Sequence, residues 1–114
     1  MISKVLYHLN RINLAGRKIS FDYNETLTTP KGMKEAERLI SEGEIVYIIS
    51  ASSDKDSMLG RAEKLGIPSN RVYATGSNKA KIEKILSLGI TSHYDNNEDV
   101  INKLKELGIN ANQY

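Results

Sequence analysis

Four residues that could do chemistry together stand where short apolar runs give way to polar loops. Asp22 follows Lys18-Ile19-Ser20-Phe21, Ser50 follows Ile45-Val46-Tyr47-Ile48-Ile49, Lys79 comes directly after Thr75-Gly76-Ser77-Asn78, and Asp95 follows Thr91-Ser92-His93-Tyr94. Phosphoryl transfer asks for a nucleophile in line with a leaving group, a divalent cation, and positive or donor groups around the equatorial oxygens. This set can supply each part. Asp22 can be a carboxylate nucleophile, Asp95 can share Mg2+ with it through hard oxygen ligands, Ser50 can donate to a phosphate oxygen, and Lys79 can place a charge nearby, with Lys81 as the alternative lysine. Tyr23 and Ala51, next to the nucleophile and the serine, are candidate substrate contacts together with Ser50 and Lys79. Taken singly, each of the four has an ordinary structural role: a strand-end Ser caps a helix, a helix-start Lys is solvated, a strand-end Asp shapes a turn. What sets them apart is their order and their common placement.

The elements that must position them alternate. Lys18 to Asp22 is a short strand, and Thr29 as N-cap with Pro30 at the first helical position starts a helix that ends near Ser41-Glu42-Gly43. Glu44 to Ser50 holds the continuous apolar run of a strand buried on both faces. Ser53-Asp54-Lys55-Asp56 has the pattern of a capping box before a helix carrying Met58, Leu59, Ala62 and Leu65. A strand over 71–74, a helix over 79–88, a strand over 91–95 and a helix over 99–107 follow. Leu-Gly-Ile occurs at 65–67, 88–90 and 107–109 without a constant period, and reads as helix punctuation, Gly in the left-handed position and Ile packing back on the last turn. This pattern predicts an α/β domain over 17–114, a three-layer Rossmann-like parallel sheet of four to five strands with helices on both faces. In such a sheet the four polar clusters share the carboxyl edge, where ligands bind. Residues 2 to 14 carry Ile2, Val5, Leu6, Leu9 and Ile12 at helical spacing. They are expected to form a separate N-terminal amphipathic helix over 1–16 that packs on the domain or on a second copy, and they lack the cleavage site of a secretory signal.

Composition narrows the classes. A chain of 114 residues with 26% charged and 39% hydrophobic residues reads as one globular domain, and no apolar stretch reaches the roughly 18 residues of a membrane span. The absence of cysteine excludes disulfides, thiolate metal sites and a cysteine nucleophile, and fits a reducing, cytosolic setting. A net charge of +2 with interleaved signs gives no basic face for nucleic acid, which is expected only as a substrate.

On these residues the chain resembles the haloacid dehalogenase-like superfamily, whose signature is four short motifs at successive strand ends. The resemblance covers about residues 18 to 109. The first motif, Asp-x-Asp-x-Thr/Val, is met by Asp22-Tyr23-Asn24-Glu25-Thr26-Leu27, with a Glu-Thr-Leu ending like that of the carboxy-terminal-domain phosphatases; the second by Ile48-Ile49-Ser50; the third by Lys79, or else Lys81; the fourth by Asp95 and Asp99. The resemblance implies that the first and fourth strands are neighbours, so that Asp22 and Asp95 meet. It implies that Asp22 forms an aspartyl-phosphate, and that Mg2+ is held by Asp22, by the main-chain carbonyl of residue 24 and by Asp95. It also implies a carboxylate at position 24 that protonates the leaving group and later activates water.

Asn24 departs from that pattern. An amide neither gives nor takes a proton at neutral pH, and losing a positioned acid and base costs typically 10²-fold to 10⁴-fold. Three origins fit: a natural variant with another proton donor, a degenerate domain that binds without catalysing, or an Asp→Asn change made to trap a complex. The leading expectation is a Mg2+-dependent phosphatase weakened at Asn24, and the alternative is a non-catalytic binding or assembly module. Only 22 residues (28–49) separate Leu27 from Ser50 and 28 (51–78) separate Ser50 from Lys79, so no cap domain fits either gap. Capless relatives have open sites suited to large phosphorylated substrates, such as phosphoproteins or nucleic-acid ends. His93 shares strand parity with Asp95 and reads as a packed or hydrogen-bonded sheet residue. A response-regulator receiver is disfavoured, since the middle strand ends in Ser50 where that fold needs an Asp, and no Gly-rich phosphate loop follows a strand.

Overall fold

Lys18–Phe21 forms β1, and its three inner residues Ile19, Ser20 and Phe21 are buried, as a strand covered on both faces requires. The computed structural model describes residues 16–114; the helix expected over 2–14 lies outside them. After β1 come a wide turn, Tyr23–Leu27, then α1 (Pro30–Ser41), β2 (Ile45–Ser50), α2 (Asp56–Leu65), a short 3₁₀ turn, Ser69–Arg71, β3 (Val72–Ala74), α3 (Asn78–Ser87), β4 (Ser92–Asp95), α4 (Glu98–Glu106) and β5 (Asn110–Gln113). The sheet has five strands, all parallel, in the order β3-β2-β1-β4-β5.

Strand alternation splits the core into two layers. Ile19, Phe21, Val46, Ile48 and Val72 face Leu27, Ala36 and Leu39 with Met58 and Ala62, so α1 and α2 cover one side. Tyr47, Ile49 and Ala111 face Ile85, Val100, Ile101 and Leu104, so α3 and α4 cover the other. Each fully buried Val, Ile, Leu, Phe or Met side chain among these contributes about 1.5–3 kcal/mol of transfer free energy. The three-layer architecture is therefore the one the alternation of strand and helix demands. The spans 28–49 and 51–78 are filled by these helices and strands, and no cap domain is inserted in either.

Helix ends follow local chemistry. Thr29 caps α1 by accepting from the Gly32 N–H at 3.0 Å, and the Ile residues after Gly66, Gly89 and Gly108 donate back across the last helical turn, to the carbonyls of Ala62, Ile85 and Leu104. All three glycines have φ between 72° and 83°, as helix punctuation requires. The expected capping box before α2 is displaced: Asp54 accepts from the Ser57 N–H at 3.3 Å, and Lys55, which immediately precedes the helix, makes no side-chain capping bond. The fifth strand, Asn-Ala-Asn-Gln, has no β-branched or aromatic residue to mark it. It is an edge strand recruited by β4 through the pairs Ser92↔Asn110 to Asp95↔Gln113. Among the described residues no helix is long and apolar enough to cross a membrane.

Candidate active site

The strand order places β1 beside β4, with Phe21 opposite Tyr94, and the Asp22 N–H donates to the Tyr94 carbonyl at 2.8 Å. Asp22 and Asp95 therefore leave the sheet side by side, at the point where the chain has built strands to one side of β1 and turns to the other. This is the topological switch point of the sheet. Both carboxylates are buried, Asp22 at 7% exposure and Asp95 at 0%.

Lys81 lies between them. Its Nζ donates to Asp22 Oδ1 at 3.2 Å and to Asp95 Oδ2 at 2.8 Å, and the side chain is 2% exposed. Lys79, the lysine preferred from the sequence, is solvent-exposed on the first turn of α3, and it is the alternative, Lys81, that the fold brings to the two carboxylates. Two residues advance a helix by about 200°, so one of the pair must face water when the other faces the sheet. Ile85, one turn after Lys81, enters the core on the same face and fixes that phase.

The array continues below the edge. His93 Nε2 lies 2.8 Å from Asp95 Oδ2, and the Ser20 hydroxyl lies 2.6 Å from His93 Nδ1, with both residues fully buried. The second Asp95 oxygen accepts from the Asn97 N–H at 2.9 Å. The sequence alone reads His93 as a packed or hydrogen-bonded sheet residue and does not single out Ser20; the shared parity of His93 with Asp95 is the one signal that joins those two, and only strand pairing supplies Ser20.

Burial pushes the Asp22 carboxyl above its ordinary value, the Lys81 ammonium opposes that rise, and the charge of Asp95 adds to it. For Asp95 burial acts in the same upward direction, yet the hydrogen bond from His93 and the attraction of Lys81 outweigh it and bring the pKa to about 2. Burial holds the His93 imidazole below its ordinary value and therefore neutral, against the pull of Asp95. With both carboxylates ionised, two negative charges share one ammonium, and the cluster is formally one charge short of neutral.

The loop after β1 shapes the mouth. Leu27 N–H donates to the Asp22 carbonyl at 3.2 Å and Thr28 N–H to the Tyr23 carbonyl at 3.1 Å, two closures five residues apart. Asn24 and Glu25 are non-helical inside this turn, and Glu25 takes φ 59°, a left-handed conformation unusual for a residue with a side chain. Its carboxylate accepts from the Asn96 amide and ties the loop after β1 to the loop after β4. Asn24 is exposed at the rim. Tyr23, a candidate substrate contact, donates its hydroxyl to the Ser57 carbonyl at 3.0 Å and packs against the core, where it braces the turn on α2. Ser50 is buried at the end of β2; its Oγ accepts from the Ser52 N–H at 3.1 Å and so keeps its own proton for another acceptor. Ala51 is half-buried beside it. Thr75, which sequence reasoning did not single out individually, ties the end of β3 to β2 by donating its hydroxyl to the Ser50 carbonyl at 2.7 Å. Asp99 is exposed on α4, apart from the carboxylate pair.

These donors suit a hard cation. Among the described residues no three His, Cys, Asp or Glu side chains gather in a ligating group. The candidate oxygens are those of Asp22 and Asp95, with the Asn24 main-chain carbonyl, two residues on from Asp22, which accepts neither of the hydrogen bonds that close the wide turn. Mg2+ sites in general are built from one or two carboxylates with water completing the octahedron, whereas structural zinc wants a closed nitrogen and sulfur cage. The residues present thus fit Mg2+, and the net negative charge of the cluster favours it. Comparison with protein-family models, with curated proteins and with solved structures finds no match, which leaves the geometry of this edge as the ground for a functional reading.

Proposed function

We propose that the chain is a haloacid dehalogenase-like, Mg2+-dependent phosphomonoester hydrolase that works through Asp22 and turns over slowly because Asn24 stands in the general acid/base position. The observation that supports this reading most is the pair Asp22 and Asp95 at the ends of adjacent central strands, bridged by Lys81 from α3, with Ser50 at the end of the next strand. In this reading a carboxylate oxygen of Asp22 attacks phosphorus and the bond from phosphorus to the leaving oxygen breaks, giving an aspartyl-phosphate. Water then attacks phosphorus, releases inorganic phosphate and restores Asp22. Lys81 orients the nucleophile and opposes the rise in its pKa that burial causes, and Ser50 offers its hydroxyl proton to a phosphoryl oxygen. Asp22, Asp95 and the Asn24 carbonyl hold Mg2+, which when bound stabilises the negative charge of the transferring group. Asn24 cannot protonate the leaving oxygen or deprotonate water, so both steps fall to solvent. The uncapped edge suits a phosphoryl group carried on a macromolecule, and a cysteine-free chain suits a cytosolic setting.

Asn24 itself favours a second reading, a module that binds metal and phosphate without turnover. One paired assay separates the two. With an aryl phosphate as substrate, Asn24→Asp is expected to raise kcat by about 10²-fold to 10⁴-fold, in Mg2+ only. No gain from that substitution in protein that still binds Mg2+ supports the binding module. Mg2+-dependent hydrolysis that survives Asp22→Asn sinks the phosphatase reading.

A further inference from the structure

Asp95 is the most heavily engaged carboxylate of the site. Its Oδ2 lies 2.8 Å from Lys81 Nζ and 2.8 Å from His93 Nε2, while its Oδ1 has the Asn97 N–H at 2.9 Å. A carboxylate oxygen offers about two lone-pair directions, so two donors occupy Oδ2 and one direction on Oδ1 stays open. With Lys81 and the Asn97 N–H already donating to it, Asp95 is an acceptor, and His93 must present Nε2–H to it. The other ring nitrogen then carries the lone pair, and the Ser20 hydroxyl, 2.6 Å away, must be the donor to Nδ1. Ser20, His93 and Asp95 are each 2% exposed or less, so no water competes for these bonds.

We infer that Ser20 and His93 are positioning residues that occupy Asp95 Oδ2 and present Oδ1 alone to the metal, making Asp95 a one-oxygen ligand. The inference rests on the Mg2+-binding reading of the site and adds to it the two residues that fix the ligand. The physical reason is geometric. A carboxylate free to rotate about its last side-chain torsion can offer one oxygen, both, or neither, and hydrogen bonds behind it select one. Lys81 cannot do so alone, because it is shared with Asp22 and approaches from a different element. Such partners behind a metal ligand are typically worth 10-fold to 100-fold in metal affinity.

The test uses the whole chain and Mg2+ alone, followed by titration calorimetry, so that it does not depend on turnover. His93→Leu is expected to weaken Mg2+ by about 10-fold to 100-fold. His93→Gln is expected to restore most of it, because a glutamine can donate its amide to Asp95 and accept from Ser20. Ser20→Ala should fall between them. Equal Mg2+ affinity in His93→Leu and the parent overturns the inference, and so does a His93→Gln variant that is folded yet as weak as His93→Leu. A second measurement needs no metal: long-range 1H–15N correlation of the imidazole should show the Nε2–H tautomer, with Nδ1–H population growing in Ser20→Ala. A parent protein in the Nδ1–H form overturns the relay whatever the metal does. A parent with the Nε2–H form that takes up no Mg2+ overturns the metal reading itself, and the positioning role with it.

Discussion

Lys81 carries an unusual electrostatic load for a single side chain. Its ammonium is withdrawn from water between two carboxylates that are themselves buried, and removing one member of such an arrangement leaves uncompensated charge in the interior. Lys81→Met is expected to lower stability by about 3–5 kcal/mol at neutral pH, measured by urea unfolding, whereas Lys79→Met should leave the midpoint where it is because that side chain is solvated. His93 makes a prediction in pH. Burial depresses its pKa from the ordinary 6.5, so the unfolded chain takes up a proton at a pH where the folded chain does not. The neutral imidazole therefore contributes stability that is present above pH 6.5 and is lost as pH falls through that value toward the depressed one. In metal-free protein the unfolding midpoint should drop between about pH 7.5 and about pH 5.5, and His93→Gln should flatten that part of the profile.

At the scale of the element, the wide turn after β1 matters most, because it sets where Asp22 and the Asn24 carbonyl point. The turn is pressed onto the first turn of α1 so closely that a Cβ at Gly32 would stand 1.9 Å from the Thr26 carbonyl oxygen. Thr29 ties the same two pieces together by donating its hydroxyl to that carbonyl. Gly32→Ala is expected to cost about 3 kcal/mol, the upper end for overpacking, since the obstacle is backbone and cannot rotate away. Thermal unfolding gives the loss, and a parallel loss of Mg2+ affinity would show that the turn moves before the domain unfolds. The sequence signals for α1 were complete, with Thr29 and Pro30 at its start. Those for the turn were not, because a left-handed Glu25 has no signature of its own and is stabilised by contact with Asn96, 71 residues away.

Across the whole molecule, β1 is paired on both sides, by β2 and by β4, while β5 has one partner and polar side chains. Opening β1 requires separating both core layers, whereas lifting β5 breaks one strand pairing, the seat of Ala111 and the contact of Tyr114 with Tyr94. Native-state hydrogen exchange should find the β1 and β2 amides opening only with global unfolding and the β5 amides exchanging first. Equal protection across all five strands would contradict this gradient. The edge that carries Asp22 and Asp95 then sits over the most stable part of the sheet, which suits the nucleophile and metal ligand proposed there, since the two must keep their separation.

What the sequence determined by itself were the periodicities and the ends. Apolar runs with Asp22, Ser50 and Asp95 at their termini, the Thr29-Pro30 start and the three Leu-Gly-Ile stops are local patterns, and the alternation of strand and helix follows from them. The tertiary structure decided everything that depends on one element meeting another. Docking of α3 on the sheet chose Lys81 over Lys79, pairing of β1 with β4 joined Ser20 to His93 behind Asp95, and the edge of β4 made a strand of Asn110–Gln113. A side chain's type and spacing say what it could bind. Only the packing of neighbours from distant parts of the chain says which face it turns to and which of its atoms remain free.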